Sequence, residues 1–281
     1  MSCDASWLSV APAPDLRCNF ATLDASTLAA DALADAIGRT RVPLLIRGLD
    51  SLRNTLSAWQ DRAEFLSQHG DEVVRVGSGV SLGISGPENG LPGSSFLRSR
   101  GHVDPSPPPR TLHQVSEAMR AEGWAADDYV FYNVSRPDRS LPTLLEPLWR
   151  QAMRARDGPS RDGPFAKPDE AVERLALGPN GSGLVFHQHE LALNALASGA
   201  KRWFVFEHKN AAYLLRAKNG RPYAMSDWLS IHYPREATQK VWEQHGWECT
   251  QRVGEVVAVP KGLMHGVVNI GEALAVAITQ V

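Results

Sequence analysis

From Gly181 to Val281 the sequence is a ladder of short apolar segments, GLVFH, LALNAL, RWFVF, EVVAV, MHGVVNI and ALAVAIT. They are rich in valine and aromatic residues, and a turn at Ser198–Lys201 and Gly254, Pro260, Gly262 and Gly271 punctuate them. Short strands at this close spacing build a barrel or a sandwich. The expected fold is mainly β with flanking helices, and helical periodicity lies mostly ahead of the ladder.

Upstream, ATLDASTLAADALADAIGRTR places Leu28, Leu33 and Ile37 on one helical face, with Ser26 as N-cap and Gly38 near the end. VPLLIRGL is a short apolar strand, a helix follows through Trp59, Phe65 and Leu66, and DEVVRVGSGVSLGI alternates as a strand pair. Ser85 to Arg110 is Gly-, Pro- and Ser-rich and reads as a long surface loop. TLHQVSEAMRAEGW is a helix and DDYVFYNVS an aromatic strand. LPTLLEPLWRQAMRAR is broken by Pro142 and Pro147, and the stretch from Arg156 to Asn180 reads as loop with a helical turn or two near Glu170 to Leu177. No repeat or linker divides the chain, so residues 1–281 are expected to form a single domain. In it, residues 1–125 give a layer of helices and strands, and residues 126–281 the barrel core.

Lys plus Arg (29) nearly balances Asp plus Glu (31), which removes the electrostatic case for a nucleic-acid partner. No apolar run reaches the ~18 residues of a membrane span, and the start lacks a signal-peptide pattern. The chain therefore reads as soluble and cytoplasmic, or as resident in the endoplasmic reticulum lumen if a signal was removed ahead of this numbering. Cys3, Cys18 and Cys249 are too few and scattered for a disulfide framework and suit a reducing compartment, with a Cys3–Cys18 bridge as the alternative.

The chemistry concentrates at FHQHE. His187 and His189 are one residue apart, so strand alternation turns both to one face, while Glu190 turns to the other unless the strand bulges. A lone histidine in an apolar run is most often a hydrogen-bonded core residue. Two at this spacing, with His265 on a distant strand between Gly262 and Asn269, read instead as three ligands of one metal, with Glu190 as rival ligand. His69, His102, His113, His208, His232 and His245 have no ligand spacing. A phosphate loop and a G-x-S-x-G nucleophile context are both lacking.

Taken in order, GSGLVFHQH, ALASGAKRWFVF, ECTQRVGEVVAVPKGLMHGVVNI and AITQ resemble the Jumonji-C family, the cupin-type, double-stranded β-helix (jelly-roll) oxygenases that use Fe(II) and 2-oxoglutarate. Within the family the likeness is to a small member of the endoplasmic reticulum lumen with H-x-H in place of H-x-D. The resemblance implies that Lys201 pairs with the distal carboxylate of 2-oxoglutarate, flanked by Asn194, Thr279 and Tyr129. It implies an Fe(II)- and 2-oxoglutarate-dependent hydroxylase of a protein or a small molecule, whose substrate is chosen by the loops at Ser85–Arg110 and Asp157–Asn180. His189 departs from the family pattern: imidazole in place of carboxylate removes a negative charge from the metal's ligands and changes metal preference and oxygen activation. Two alternatives follow, a silent metal-binding barrel serving as an interaction module and a three-histidine dioxygenase independent of 2-oxoglutarate.

Overall fold

The computed structural model describes residues 17–74, 76–78, 109–121, 128–134, 141–157, 171–207 and 223–280. The expected Ser85–Arg110 loop (save its last two residues), most of the second substrate-selecting loop, the excursion at 211–222, Cys3, His102 and His208 lie outside these residues.

Two long strands organise the rest. β9 (Ala192–Glu207) and β12 (Leu263–Gln280) pair antiparallel along nearly their whole length, with a register shift between Ile270 and Leu274. Gly199 (φ +75°) and Gly271 (φ +74°) sit at that shift in a left-handed conformation that other residues adopt only with strain. A Cβ on Gly199 would lie 2.5 Å from the Glu272 carbonyl oxygen, so the approach itself requires glycine. The glycines expected to end strands at SGAK and NIGEAL bend them instead, and each strand continues into a second sheet. A bulge and a hairpin turn share the same glycine signal.

The first halves of the two long strands therefore serve different sheets. The N-terminal half of β9 pairs with β11 (Val256–Val259) and with the C-terminal half of β12, which pairs in turn with β7 (Ala171–Gly178). β6 (Asp128–Asn133) and then β4 (Val76–Ser78) continue beyond β7, and β2 (Leu44–Arg47) and β1 (Ala21–Asp24) continue beyond β11. The C-terminal half of β9 pairs with β10 (Gly246–Gln251), and the N-terminal half of β12 pairs with β8 (Gly183–His187). The two faces close a jelly-roll, the cupin architecture.

Residues Ala171–Gly178 form strand β7, not a loop with helical turns. Adjacent charges at Glu173 and Arg174 hide the alternation, yet both are buried. Glu173 accepts N–H groups from Leu144, Leu145 and Glu146 and so caps the helix Glu146–Asp157 from another element, and burial pushes its carboxyl up to about 7. Pro147 sits in that helix's first turn, where its missing N–H costs nothing. Val73 and Val76 belong to strands paired with Thr111 and Val130, respectively, so DEVVRV does not fold as a hairpin. The first helix, α1, spans Ala30–Arg39; Ser26 lies in a preceding 3-10 turn capped by Asp24.

Cys18 and Cys249 form a disulfide, which overturns the expectation of free thiols and the Cys3–Cys18 alternative. Asn19 pairs with Glu248, N–H to carbonyl at 3.0 Å, and thereby brings together cysteines 231 residues apart. Cysteine spacing carries no trace of that pairing. On the outer side of β8–β12–β9, Phe186, Phe204, Phe206, Trp228 and Trp242 pack into an aromatic cluster under Met225–His245. Truncating a fully buried tryptophan such as Trp228 costs about 3–5 kcal/mol.

Candidate metal centre

Residues paired across a sheet point to the same face. His265 on β12 pairs with His187, the last residue of β8, and both face the barrel interior. His189 follows the strand end and its ring folds back, so that one ligand atom from each of the three histidines lies within 4.8 Å of the others. The H-x-H pair does converge, by a turn at the strand end rather than by alternation alone.

Each Nδ1 contacts a backbone carbonyl oxygen: His187 with Val185 at 2.6 Å, His189 with Glu190 at 2.7 Å and His265 with Leu263 at 3.1 Å. A carbonyl only accepts, so all three Nδ1 atoms carry the proton and all three Nε2 atoms present a lone pair. The Nε2 atoms of His189 and His265 nonetheless stand 3.1 Å apart. Two lone pairs at that distance repel unless a cation is shared. Two nitrogens each ~2.1 Å from one metal and at right angles are ~3.0 Å apart, so the donor set fits a divalent ion on three neutral imidazoles.

Enclosure keeps the rings neutral. Burial pulls His189 down to about 3, helped by the neighbouring His187 and by the Arg174 charge, and it takes His265 well below the ordinary value. His187 is lowered by burial and by Arg174. Glu190 is not brought to the cluster. Its carboxylate takes ion pairs from Arg156 (3.1 Å) and Lys261 (2.6 Å), which hold it on the outside.

Beneath the histidines the interior positions of β9 and β12 continue as Trp203 and Val267, then Lys201 and Asn269. Lys201 is fully buried and donates to the Tyr129 hydroxyl (3.0 Å) and to Asn269 Oδ1 (2.7 Å). Burial lowers the ammonium to about 7. Tyr129 stands between Lys201 and the pocket, which it lines together with Asn194, Thr279, Trp203 and the three histidines. Asn194 is 6% exposed, and its Oδ1 has no partner. Gln251 fixes the Asn194 backbone, donating to its carbonyl (2.8 Å) while accepting from Trp203 Nε1 (2.9 Å).

Of the four residues assigned to the co-substrate, Tyr129 meets Lys201 directly, whereas Asn194 and Thr279 line the pocket further along, level with Arg174 and Val172. Two residues, one beside Lys201 and one lining the pocket, were missed. Asn269 is four positions after His265 and shares its face, which alternation alone would have found. Arg174 lines the opposite wall, in register with Ala277 and, beyond it, Asn194, and reading Val172–Leu177 as a strand would have placed it.

Residues 174–279 match the family described as "JmjC domain, hydroxylase". The arginine-specific demethylase JMJ22 of Arabidopsis thaliana is 31% identical over 110 residues, a match covering 36% of this chain and 21% of that protein. The chain thus corresponds to about a fifth of the length of that curated relative. Among the described residues no helix is long and apolar enough to cross a membrane. With the cupin barrel and the three-histidine cluster in place, the matched segment, residues 174–279, is a JmjC domain.

Proposed function

We propose that the chain is a metal-dependent oxygenase that uses Fe(II) and 2-oxoglutarate to hydroxylate a protein or small molecule. The observation that carries this reading is the 3.1 Å approach of two unprotonated Nε2 atoms, which calls for a cation shared with His187. Bound there, the metal supplies oxygen activation coupled to oxidative decarboxylation of the 2-oxo acid to succinate, with one oxygen atom going to each product. His187, His189 and His265 hold it through Nε2, and three carbonyl contacts fix their orientation.

Lys201 has a third N–H beyond those given to Tyr129 and Asn269, and an ammonium so placed binds a distal carboxylate. Tyr129 accepts from Lys201 and keeps its own hydroxyl proton for the same ligand; burial raises its pKa, so it stays protonated. Asn194 and Thr279 add polar groups to the lining of the pocket. Trp203, Leu184, Val257 and Val267 line the middle and exclude water from the reacting atoms.

Similarity to a protein named as an arginine-specific demethylase supports a protein side chain among the substrates. His189 supports a second reading, a three-histidine dioxygenase that needs no 2-oxo acid. Anaerobic titration of the Fe(II)-loaded protein with 2-oxoglutarate decides between them. A visible charge-transfer band from the chelate is expected; a colourless mixture with metal bound favours the second reading. His189→Asp sharpens the result, because a carboxylate there restores the family's ligand set and should raise 2-oxoglutarate turnover.

A further inference from the structure

We propose that Gln251 is a positioning residue for the co-substrate: it holds the Trp203 indole in the channel wall between metal and anchor, and so selects an unbranched five-carbon 2-oxo diacid over a longer one. The inference rests on the oxygenase reading above and names what sets the co-substrate selectivity of that site. Gln251 ends β10, pairs with Lys201 across to β9 and is fully buried. Its carboxamide makes three hydrogen bonds. Oε1 accepts from Trp203 Nε1 (2.9 Å), while Nε2 donates to the carbonyls of Asn194 (2.8 Å) and Glu255 (2.9 Å). An indole only donates and a carbonyl only accepts, so the amide has one possible orientation and both its N–H groups are used.

What these bonds connect sets Gln251 apart from an ordinary core residue. A buried, satisfied glutamine is most often structural, but here the partners lie on opposite sheets and two of them line the pocket. Trp203 is on the C-terminal half of β9, and Asn194 is on the N-terminal half, in register with Val257 of β11. Gln251 thus spans the barrel from sheet to sheet and fixes the gap between those walls. Along the other direction, Trp203 and Val267 fill the single interior position between His265 and the Lys201–Asn269 pair. The indole stands 6.2 Å from the His265 ring, tilted 34° to it. A co-substrate with its 2-oxo end at the metal and its distal carboxylate at Lys201 must cross the Trp203 ring. Strand pairing fixes the distance to be spanned, since His265 and Asn269 are four positions apart on β12, ~13 Å of backbone at the usual rise. The indole fixes the width. A chain with one methylene too many for the span has to buckle sideways, and a ring held at Nε1 does not give way. Loss of that bond leaves Nε1 unpaired in a largely apolar wall, so the ring moves to find another partner and the channel widens.

The test uses the full chain loaded anaerobically with Fe(II) and titrated with 2-oxoglutarate and, separately, with 2-oxoadipate, each followed by the charge-transfer band of its chelate. Native protein should bind 2-oxoglutarate more tightly by about tenfold or more, the usual effect of one misplaced methylene. Gln251→Met, which keeps the volume and loses all three hydrogen bonds, should narrow that ratio about fivefold or more while Fe(II) affinity stays within about twofold. Gln251→Asn is the milder variant: its amide is one methylene too short to reach the indole and both carbonyls, and the ratio should narrow in the same direction. Trp203→Phe combined with Gln251→Met should narrow it no further than Trp203→Phe alone, because both remove one interaction. A native ratio in either glutamine variant makes Gln251 a core residue and overturns the proposal, whatever the fall in melting temperature. Additive losses in the double variant overturn it too, since Gln251 would then act by another route. Native protein that binds 2-oxoglutarate without preferring it to 2-oxoadipate overturns the inference alone. Native protein that gives a band with neither acid overturns the oxygenase reading and the inference with it.

Discussion

The two ends of the pocket are built on opposite principles. At the metal end, three imidazoles point lone pairs at one another with no donor between them among the described residues, and His189 and His265 meet at 3.1 Å. At the other end the polar groups already hold one another: Lys201 donates to Tyr129 and Asn269, and Asn269 donates to Ser182 Oγ at 3.0 Å. On the proposed function, the metal end is complete only with a cation, whereas the anchor end is already held together by its own hydrogen bonds and gains charge when an anion arrives. If that function holds, one end depends on its ligand for stability and the other depends on it for charge.

The strongest way to break this contrast is at the metal end. Losing an outer hydrogen-bond partner of a metal ligand costs about 10–100-fold in affinity, and losing a ligand costs more. His265→Ala should therefore lose more than about a hundredfold in Fe(II) or Co(II) affinity by equilibrium dialysis, while Lys201→Met keeps its metal. A native metal content in His265→Ala would mean that the three histidines are a core cluster.

At the anchor end the same logic gives a smaller loss. Hydrogen bonds to a charged group contribute about 1.5–3 kcal/mol, so Lys201→Met should bind 2-oxoglutarate roughly 10- to 150-fold more weakly by calorimetry. Its melting temperature should change little or rise, because a buried ammonium is removed along with its contacts. A large fall in melting temperature with unchanged affinity would make Lys201 a structural residue.

Proton linkage sharpens the comparison further, since the two ends respond to pH in different windows. Lys201 titrates near 7 in the empty pocket against 10.5 in solvent, and a bound carboxylate raises it again. Binding above pH 7 therefore takes up a proton. Affinity for 2-oxoglutarate should be full below about pH 7 and fall by about tenfold per pH unit above it. The histidines are depressed, so the folded metal-free protein resists protons that the unfolded chain accepts. Their contribution to stability is present above about pH 6.5 and is lost as pH falls below it. Melting curves between pH 5 and 8 check this, and a metal-free protein equally stable at both limits would contradict neutral buried rings.

The sequence exposes the two ends unequally, for a physical reason. His187, His189, His265, Lys201 and Asn194 lie in apolar segments where a polar residue stands out against its neighbours, and the strands they sit on follow from alternation. Arg174 lies beside Glu173, and two adjacent charges look like a solvated loop although one caps a helix and the other lines the pocket. Tyr129 was placed by resemblance, since any strand tyrosine reads as core until Lys201 is seen 3.0 Å from its hydroxyl. Gly199 and Gly271 carry the reverse lesson: their φ preference was legible, but whether it served a turn or a bulge depended on Glu272 and Ala273 packing against Gly199.

The smallest expected effect concerns Glu190, the one carboxylate close enough in sequence to have supplied the family's missing acidic ligand. Its two cationic partners come from different elements, Arg156 from the helix Glu146–Asp157 and Lys261 from the turn before β12, and both hold it away from the metal side of the chain. Its backbone carbonyl still contacts His189 Nδ1, and no side-chain substitution removes that contact. Glu190→Gln should therefore leave metal affinity within about threefold of native and lower stability by no more than ~1 kcal/mol, the usual range for partly exposed ion pairs. A loss of metal comparable to that in His265→Ala would require the carboxylate to leave both cations and enter the cluster. The centre would then be a two-histidine, one-carboxylate site assembled only in the presence of the ion, and the distinction between a ligand-dependent metal end and a preformed anchor end would have to be redrawn.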